Sequence, residues 1–545
     1  MSSKKARQII ILGAGVMQGP VIAVAREMGL ETIALDGDRG AVNAGKADRF
    51  EPIDLKDKEG IEALARSLQA GGRLGGIITA GTDFSASVAW VAERLGLPGI
   101  PYETALNASD KGRMRRRFRD SGVASPEFTV LGAYPGPGYT PPSGYPAVIK
   151  PVDNMGARGC RRIDSPADFD AAWGEAFAFS RSGAVIVESY MEGPEYSVDA
   201  LVYHGEITIC GLADRHICFP PFFIEMGHTM PAAGRPAADE SALIETFTQG
   251  ARALGLLEGD AAGAAKGDIK LTPQGPMIGE IAARLSGGYM SGWTYPYASG
   301  VEVIRGAIMA ALGEKPDGLV PRRSWTCAER AFISIPGRVR AVLGLRAAAA
   351  APYVKDIFLR AAPGSRVSFP ENNVSKAGNI LAAAPEREAA VNAAEDAARM
   401  ILIALEAPDP ETGAFLESGA AWPPPAWPPA AFAVSPAIAA SLASLPDPSP
   451  GSGGTLSLIP FPALGASGLR DWAGRSVSES LDAVRALTGL PLPEKPWPAG
   501  RPVSGQPFLG RRFWAALIRG GYQGAAYLVE SLCAGAGGIA GAAPR

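Results

Sequence analysis

A lysine followed by a glycine-bearing loop is the first feature of the chain that can do chemistry. Lys150 ends the apolar run that begins at Tyr145, and the loop after it contains Gly156 and Gly159. Backbone N–H groups of such a loop can point at phosphate oxygens while the lysine supplies a full positive charge. Glycine lets the backbone approach a ligand because it has no Cβ. An ordinary hairpin turn is the alternative, but the position of Lys150 favours phosphate binding.

A pair of glutamates follows this loop. Glu188 and Glu195 lie seven residues apart, on either side of Gly193-Pro194, and the strand-like residues 196–203 come next. Their spacing across a turn suits a clamp on the nucleoside part of a nucleotide.

A second pair of carboxylates has the spacing of a metal site. Asp268 and Glu280 lie twelve residues apart on two predicted strands joined by a turn at residues 272–275. A hairpin of this kind can aim both carboxylates at one hard cation, Mg²⁺ or Mn²⁺. Lys270 shares a strand face with Asp268, so it is expected either to contact phosphate or to form a salt bridge to Asp268. Together the loop and the two pairs predict ATP as the ligand.

In this order the motifs resemble those of the ATP-grasp superfamily, which includes carboxylate–amine ligases and biotin carboxylase. The resemblance covers residues 7–405. It implies that Lys111, in the segment 107–117, and Lys150 bind nucleotide phosphates, that Glu188 meets adenine, that Glu195 binds ribose, that Asp268 and Glu280 bind magnesium, and that Arg284 holds an acyl phosphate. Arg284 and Lys150 are the residues expected to take part in catalysis. Many relatives carry Asn two residues after the second metal carboxylate, where this chain has Ala282. A second magnesium site would therefore need another ligand.

The N-terminal pattern predicts an α/β fold with a doubly wound parallel sheet. Apolar strands at residues 9–12, 31–36 and 76–80 alternate with helices, one ending near residue 29 and one over 86–95. Gly13, Gly15 and Gly19 with Asp36 also suit a dinucleotide site. The ATP motifs that follow favour the domain that precedes an ATP-grasp module instead.

The later segments divide by composition. We expect a Rossmann-like domain over 1–108, a two-lobed α+β ATP-grasp domain over 109–315 with a lid near 124–186, a smaller α/β domain similar to that of biotin carboxylase over 322–407, and an irregular Pro/Gly/Ala-rich linker and tail over 408–545. A long helix is predicted over 386–405, and tail helices over 477–487 and 511–532. The proline-rich stretches 422–429 and 446–454 predict linker, with a ligand for a partner domain as the alternative.

Composition excludes several classes of protein. The 545 residues are too many for one core, and a net charge of −3 gives no basic footprint for nucleic acid. Five scattered cysteines without a C-x-x-C pair argue against a zinc site and favour a reducing compartment. The N-terminal apolar run is too short for a signal peptide or a membrane span, so we expect a cytoplasmic protein.

The expected reaction is ATP-dependent joining of a small carboxylate to an amine through an acyl phosphate, releasing ADP and phosphate. The alternatives are a carboxylase of the biotin carboxylase type, a non-catalytic ATP-binding protein and an NAD-dependent oxidoreductase. Glu225 and His228, in the segment 214–231 between the ribose carboxylate and the metal pair, are expected to contact the acid or the amine. A surface β-excursion is the other interpretation of that segment. The partners expected are small molecules, and a homodimer is compatible with the resemblance.

Overall fold

The computed structural model describes residues 6–234, 236–417, 426–446, 457–490, 492 and 508–535. Within these residues the chain forms two compact units. The first contains the residues up to 329 together with 371–373 and 381–391, and the second contains the others. Parts of the predicted proline-rich linkers, residues 422–425 and 447–454, lie outside the described residues.

A parallel four-stranded sheet opens the first unit and confirms the doubly wound prediction. Its elements are β1 Gln8–Leu12, α1 Gly19–Glu27, β2 Glu31–Leu35, β3 Arg49–Glu51, α2 Lys58–Ala70, β4 Leu74–Thr79, α3 Ser85–Leu95 and α4 Tyr102–Ser109. The strand order is β3-β2-β1-β4, and every pair is parallel. All five residues of β1 are buried, as expected for a strand covered on both faces.

The glycine-containing loop at residues 13–19 of this domain is occupied by side chains of the same domain. The N–H of Ala14 donates to Asp36 Oδ2 at 2.9 Å, so the carboxylate that a dinucleotide site would use holds the loop instead. A Cβ on Gly13 would lie only 2.8 Å from Cδ of Gln18, so the Gln18 side chain occupies the space beside this glycine. The Gln18 amide donates to the carbonyl of Ala80. These contacts support the interpretation that the domain precedes an ATP-grasp module.

A small antiparallel sheet occupies the region predicted to be the lid. Its elements are α5 Lys111–Asp120, β5 Phe128–Leu131, β6 Ala147–Pro151, β7 Arg161–Ile163, α6 Pro166–Phe179 and β8 Val185–Ser189, in which α5 leads into the sheet. The strand order is β5-β8-β6-β7. Helix α6 packs Phe169 against Ala147 and Ile149 of β6 in a separate apolar cluster, so this sheet has a core of its own.

A larger antiparallel sheet carries most of the site. Its elements and their helices are β9 Glu195–Tyr203, β10 Glu206–Cys218, β11 Ile224–Met230, α7 Ala237–Leu254, β12 Ala262–Thr272, β13 Gly275–Ala282, α8 Tyr295–Ala298, α9 Val303–Ala311 and β14 Thr326–Phe332. The order through the first unit is β13-β12-β9-β10-β11-β14. Helix α7 buries Leu243 and Phe247 against Ile278 and Ile281 of β13, which fixes the hairpin of β12 and β13.

The second unit contains a three-stranded antiparallel sheet. The elements after β14 are β15 Gly337–Leu343, α10 Leu345–Ala349, β16 Val354–Leu359, β17 Arg366–Val367, β18 Gly378–Ala384, α11 Arg387–Met400, β19 Leu402–Leu405 and α12 Pro410–Glu417. Strands β17, β15 and β19 form the sheet in that order. The prediction of one helix over 386–405 is wrong at its end, because residues 402–405 pair with β15 as a strand.

The described part of the tail folds onto this unit. Its elements are α13 Pro436–Ala443, β20 Ser457–Leu458, α14 Pro462–Gly465, α15 Val477–Thr488, β21 Phe508–Leu509 and α16 Arg511–Gly535. The two predicted tail helices are confirmed as α15, which begins with a capping box at Ser476, and α16. Phe513 and Leu517 share an apolar cluster with Ala404 of β19. Among the described residues, no helix is long and apolar enough to cross a membrane.

Candidate active site

The predicted metal carboxylates face each other across one hairpin. Asp268 on β12 and Glu280 on β13 are directly paired in the strand register. Asp268 is buried and accepts a 2.6 Å hydrogen bond from Ser197 Oγ and an ion pair from Lys266. Burial opposes the ionisation of Asp268, but Arg215 and Lys266 outweigh it and lower the pKa of this carboxyl to about 2.

Glu280 is likewise held in its ionised form. Its Oε2 lies 3.7 Å from Lys111 Nζ, and burial of the carboxyl is outweighed by Lys111 and Lys266, so its pKa lies below the usual range. No group of three or more acidic, histidine or cysteine side chains that could hold a metal occurs in the described ranges. Proteins that bind Mg²⁺ together with substrate phosphates nevertheless supply only one or two carboxylates, and water and phosphate oxygens complete the coordination. The pair fits magnesium.

Asp268 pairs with Lys266 and not with Lys270, the lysine for which a salt bridge to Asp268 was one expectation. Lys266 pairs with Asp268, whereas Lys270 donates to the carbonyl of Met191 at 3.1 Å and lies 3.8 Å from Glu195. The register explains this, because Lys270 is directly opposite Glu195 on β9. The predicted salt bridge between Lys270 and Asp268 is therefore wrong.

A buried ion cluster surrounds the position predicted to meet adenine. Glu188 on β8 contacts Lys150 Nζ at 2.6 Å and the guanidinium of Arg115 at 2.9 Å. Arg115 is 0% exposed. Burial raises the pKa of Glu188, but the two cations outweigh it and the net direction is downward. Lys150 is thus fixed on β6 by Glu188, at the start of the glycine loop.

The loop itself is anchored between Lys111 and the lid helix. Lys111 Nζ donates to the carbonyl of Asn154 at 2.7 Å, and Asn154 Nδ2 donates to the carbonyl of Phe179 at the end of α6. Gly156 and Gly159 have positive φ angles of 71° and 66°. A Cβ at Gly159 would lie 3.1 Å from α6, so the loop needs glycine there. Lys111 therefore joins the glycine loop to Glu280.

Arg215 on β10 connects the predicted ribose, substrate and metal carboxylates. Its guanidinium forms an ion pair with Glu195, donates to Glu225 Oε2 at 3.0 Å and lies 3.3 Å from Asp268. Burial disfavours the cation, but these three carboxylates outweigh it and raise the pKa of Arg215 well above its usual range. Sequence analysis did not identify this arrangement, although Arg215 lies in the segment 214–231.

His228 is buried on β11, where two carboxylates lie beside its ring. The residue is 1% exposed on β11, and its Nδ1 lies 2.6 Å from Oε2 of Glu329, which is 0% exposed on β14. Its Nε2 lies 3.6 Å from Glu225 Oε2. An ionised carboxylate can only accept a hydrogen bond, so Nδ1 of His228 is the donor to Glu329. Glu329 was not identified from the sequence.

The loop after Arg284 lies against this histidine. Gly288 has a φ of 59°, and a Cβ there would lie 3.0 Å from both Glu225 Oε1 and His228 Cε1. Ser286 N–H donates to the buried Asp199 at 3.3 Å, which holds the loop to β9. Arg284 Nη1 donates to the carbonyl of Leu285 at 2.9 Å, and burial lowers the pKa of its guanidinium. The structure thus brings Arg284, Glu225 and His228 to one place.

A cavity of about 240 Å³ joins several of these residues. Lys111, Glu280, Ala282 and Arg284 line it together with residues of the N-terminal domain. Ala282 leaves no side-chain oxygen at the position where many relatives have Asn. The missed site residues Arg115, Arg215, Asp199 and Glu329 all sit on helices or strands with ordinary burial patterns, which carry no motif signal.

Two family models match the chain. An ATP-grasp domain matches residues 143–291, and an L-amino acid ligase C-terminal domain 2 matches residues 331–406. The chain is 26% identical to carnosine synthase 1 of Gallus gallus over 345 residues, which are 57% of this chain and 36% of that protein. It is 27% identical to the uncharacterized protein y4rH of Sinorhizobium fredii over 380 residues, 68% of this chain and 77% of that protein.

A solved structure shows the same fold. The L-amino acid ligase from Bacillus licheniformis superposes with a TM-score of 0.62 at 20% identity, covering 74% of this chain and all of that one. The match to carnosine synthase spans only about a third of that relative's length. The chain therefore contains an ATP-grasp domain over residues 143–291, followed over residues 331–406 by a domain similar to the C-terminal domain 2 of L-amino acid ligases.

Proposed function

We propose that the protein is an ATP-dependent ligase that activates a carboxylate as an acyl phosphate and joins it to an amine, with ADP and phosphate as the other products. The observation that carries this proposal is the shared cavity, in which Lys111 and Glu280 of the phosphate and metal region lie with Arg284. The match to an L-amino acid ligase domain at residues 331–406 supports amide formation.

The residues divide into three groups in this proposal. Lys111, Lys150 and the loop containing Gly156 and Gly159 bind the phosphates, Glu188 and Glu195 bind adenine and ribose, and Asp268 with Glu280 holds magnesium. Bound magnesium would neutralise charge on the phosphate oxygens. Lys111 is positioned by the carbonyl of Asn154 and Lys150 by Glu188, and both lysines spread the charge of the phosphoryl group in transfer.

Two bond exchanges complete the reaction. A carboxylate oxygen of the acid bonds to the γ-phosphorus while the bond from that phosphorus to the ADP oxygen breaks. The amine nitrogen then bonds to the acyl carbon, and the carbon–oxygen bond to phosphate breaks. The amine loses a proton in this second step. Arg284 is planar and permanently charged, so it can hold the acyl phosphate with two parallel hydrogen bonds.

Glu225 and His228 lie where they can serve the acid or the amine. Both side chains lie beside Gly288, in the loop that follows Arg284. Glu329 orients the imidazole through Nδ1, which places Nε2 on the side occupied by Glu225. A histidine held in this way can accept the proton that the attacking amine loses.

His228→Ala should therefore lower kcat/KM for the acid or amine by about 10²-fold while the Kd for ATP stays the same. Titration calorimetry with ATP and steady-state kinetics with each substrate measure the two effects separately. His204→Ala is the matched control, because His204 stacks on Tyr203 in an exposed turn and should change neither value. Lost ATP affinity with normal use of acid and amine would contradict this placement.

The experiment that tests the proposed reaction supplies ATP, candidate acids and hydroxylamine, an amine that converts acyl phosphates to hydroxamates. Hydroxamate and ADP should form together and only with an acid present. Cleavage of ATP that depends on bicarbonate alone would favour a carboxylase, and ATP binding without cleavage in any mixture would favour a non-catalytic role. The homodimer stays a prediction, to be tested by light scattering.

A further inference from the structure

The cavity that contains Arg284 extends to a second group of cations in the N-terminal domain. Beside Lys111, Glu280 and Arg284, its lining includes Lys56 and Lys58 at the start of α2. The wall also includes polar side chains from the N-terminal domain and from the loop after Lys150, among them Thr82, Asp83, Ser85, Tyr102, Ser109 and Asn154. Its volume of about 240 Å³ is room for on the order of a dozen waters. A small organic acid fits in such a space.

The carboxylates that line the cavity are all engaged. Asp83 forms an ion pair with Arg181, which also stacks over Phe84. Asp153 accepts hydrogen bonds from the N–H groups of Arg181 and Ser182 at 3.0 and 2.7 Å. Glu280 faces Lys111 at 3.7 Å. None of these carboxylates pairs with Lys58.

Three of the lining cations have no such partner. In the described part of the chain, no carboxylate lies within 4.0 Å of the charged groups of Lys56, Lys58 or Arg284. Arg284 is assigned to the acyl phosphate. Lys56 and Lys58 therefore place unpaired positive charge on a different wall of the same cavity, the wall formed by the N-terminal domain.

Lys58 is held in place without being neutralised. Its Nζ donates to Tyr102 Oη at 3.0 Å and lies 5.1 Å from the ring centre of Trp90 and 5.4 Å from that of Tyr102. Contacts of this kind orient an ammonium group but leave its full charge. A lysine fixed at a cavity wall in this way can bind an anion with little further loss of side-chain freedom.

We propose that the acid substrate carries a second anionic group, a carboxylate or a phosphate, which Lys58 binds while the reacting carboxylate lies beside Arg284 and Glu280. Lys56 adds positive charge on the same side of the cavity. The inference rests on the proposed ligase activity and names the class of acid that it uses. A monocarboxylate with an apolar or neutral end would offer Lys58 no anionic partner.

The test uses hydroxylamine as the amine, so that the natural amine need not be known. Acids are supplied in matched pairs that differ in the second anion: L-glutamate with L-2-aminopentanoate, succinate with butyrate, and O-phospho-L-serine with L-serine. Hydroxamate is measured for the full-length protein, for Lys58→Met and for Lys46→Met. Lys46 is an exposed lysine outside the cavity, so its variant is the matched control.

The anionic member of at least one pair should exceed its partner by tenfold or more in kcat/KM. Which pair responds distinguishes a carboxylate from a phosphate. Lys58→Met should remove that preference by lowering kcat/KM for the anionic acid at least tenfold, with the neutral acid and Lys46→Met unchanged. Equal use of both members in every pair, or an equal loss for both in Lys58→Met, overturns the inference and leaves the ligase activity in place. The complete absence of hydroxamate overturns the proposed function itself.

Discussion

Glu280→Ala is expected to abolish turnover, with a loss in kcat of at least about 10³-fold. The substitution removes one of the two carboxylates that face each other on the hairpin of β12 and β13, and it also removes the partner of Lys111. Because the proposed magnesium site takes these two carboxylates from the protein, the loss of one should leave the phosphates poorly positioned. Asp268→Ala should reduce activity severely for the same reason.

Steady-state phosphate release over a range of Mg²⁺ concentrations measures the effect. Glu206→Ala is the matched control, because Glu206 lies on the surface, where its carboxylate pairs with the exposed Lys315. It should retain normal activity. Unchanged activity in Glu280→Ala would show that the metal assignment is wrong.

Arg284→Met should lower kcat by about 10²- to 10³-fold, the range found when one donor to a developing negative charge is removed. The guanidinium lines the cavity beside Glu280 and donates a hydrogen bond to the carbonyl of its neighbour Leu285. The fold therefore depends little on this side chain, and the unfolding temperature should stay close to that of the natural protein.

Arg284→Lys separates charge from geometry. It keeps the positive charge but loses the planar fork, so it should recover only part of the activity. Single-turnover measurements with saturating ATP show whether the loss is in the chemical step. A normal chemical rate in Arg284→Met would place the acyl phosphate elsewhere.

The sequence was sufficient where neighbouring residues determine the geometry. The hairpin that pairs Asp268 with Glu280 lies within residues 262–282, and the loop with Gly156 and Gly159 follows Lys150 closely. The parallel sheet of the N-terminal domain likewise follows from short apolar strands that alternate with helices. Each of these features is encoded locally.

The sequence was insufficient where the site depends on which strands become neighbours. Arg215 reaches Asp268 because β10 and β12 both flank β9, and Glu329 reaches His228 because β14 lies beside β11. Neither pairing follows from spacing along the chain. The error over residues 402–405 has a similar cause, since pairing with β15 converts an apolar end of a predicted helix into a strand. In all three cases, packing between segments that are far apart in the sequence determines the structure.

The oxygen atoms of the acid give the most direct test of the acyl phosphate. An acid that supports hydroxamate formation is labelled with ¹⁸O in its carboxylate, and the products of ATP cleavage are analysed by ³¹P nuclear magnetic resonance and mass spectrometry. Attack of the carboxylate on the γ-phosphorus predicts ADP together with inorganic phosphate that contains one ¹⁸O atom. Stoichiometric AMP and pyrophosphate, with the label in AMP, would contradict the account.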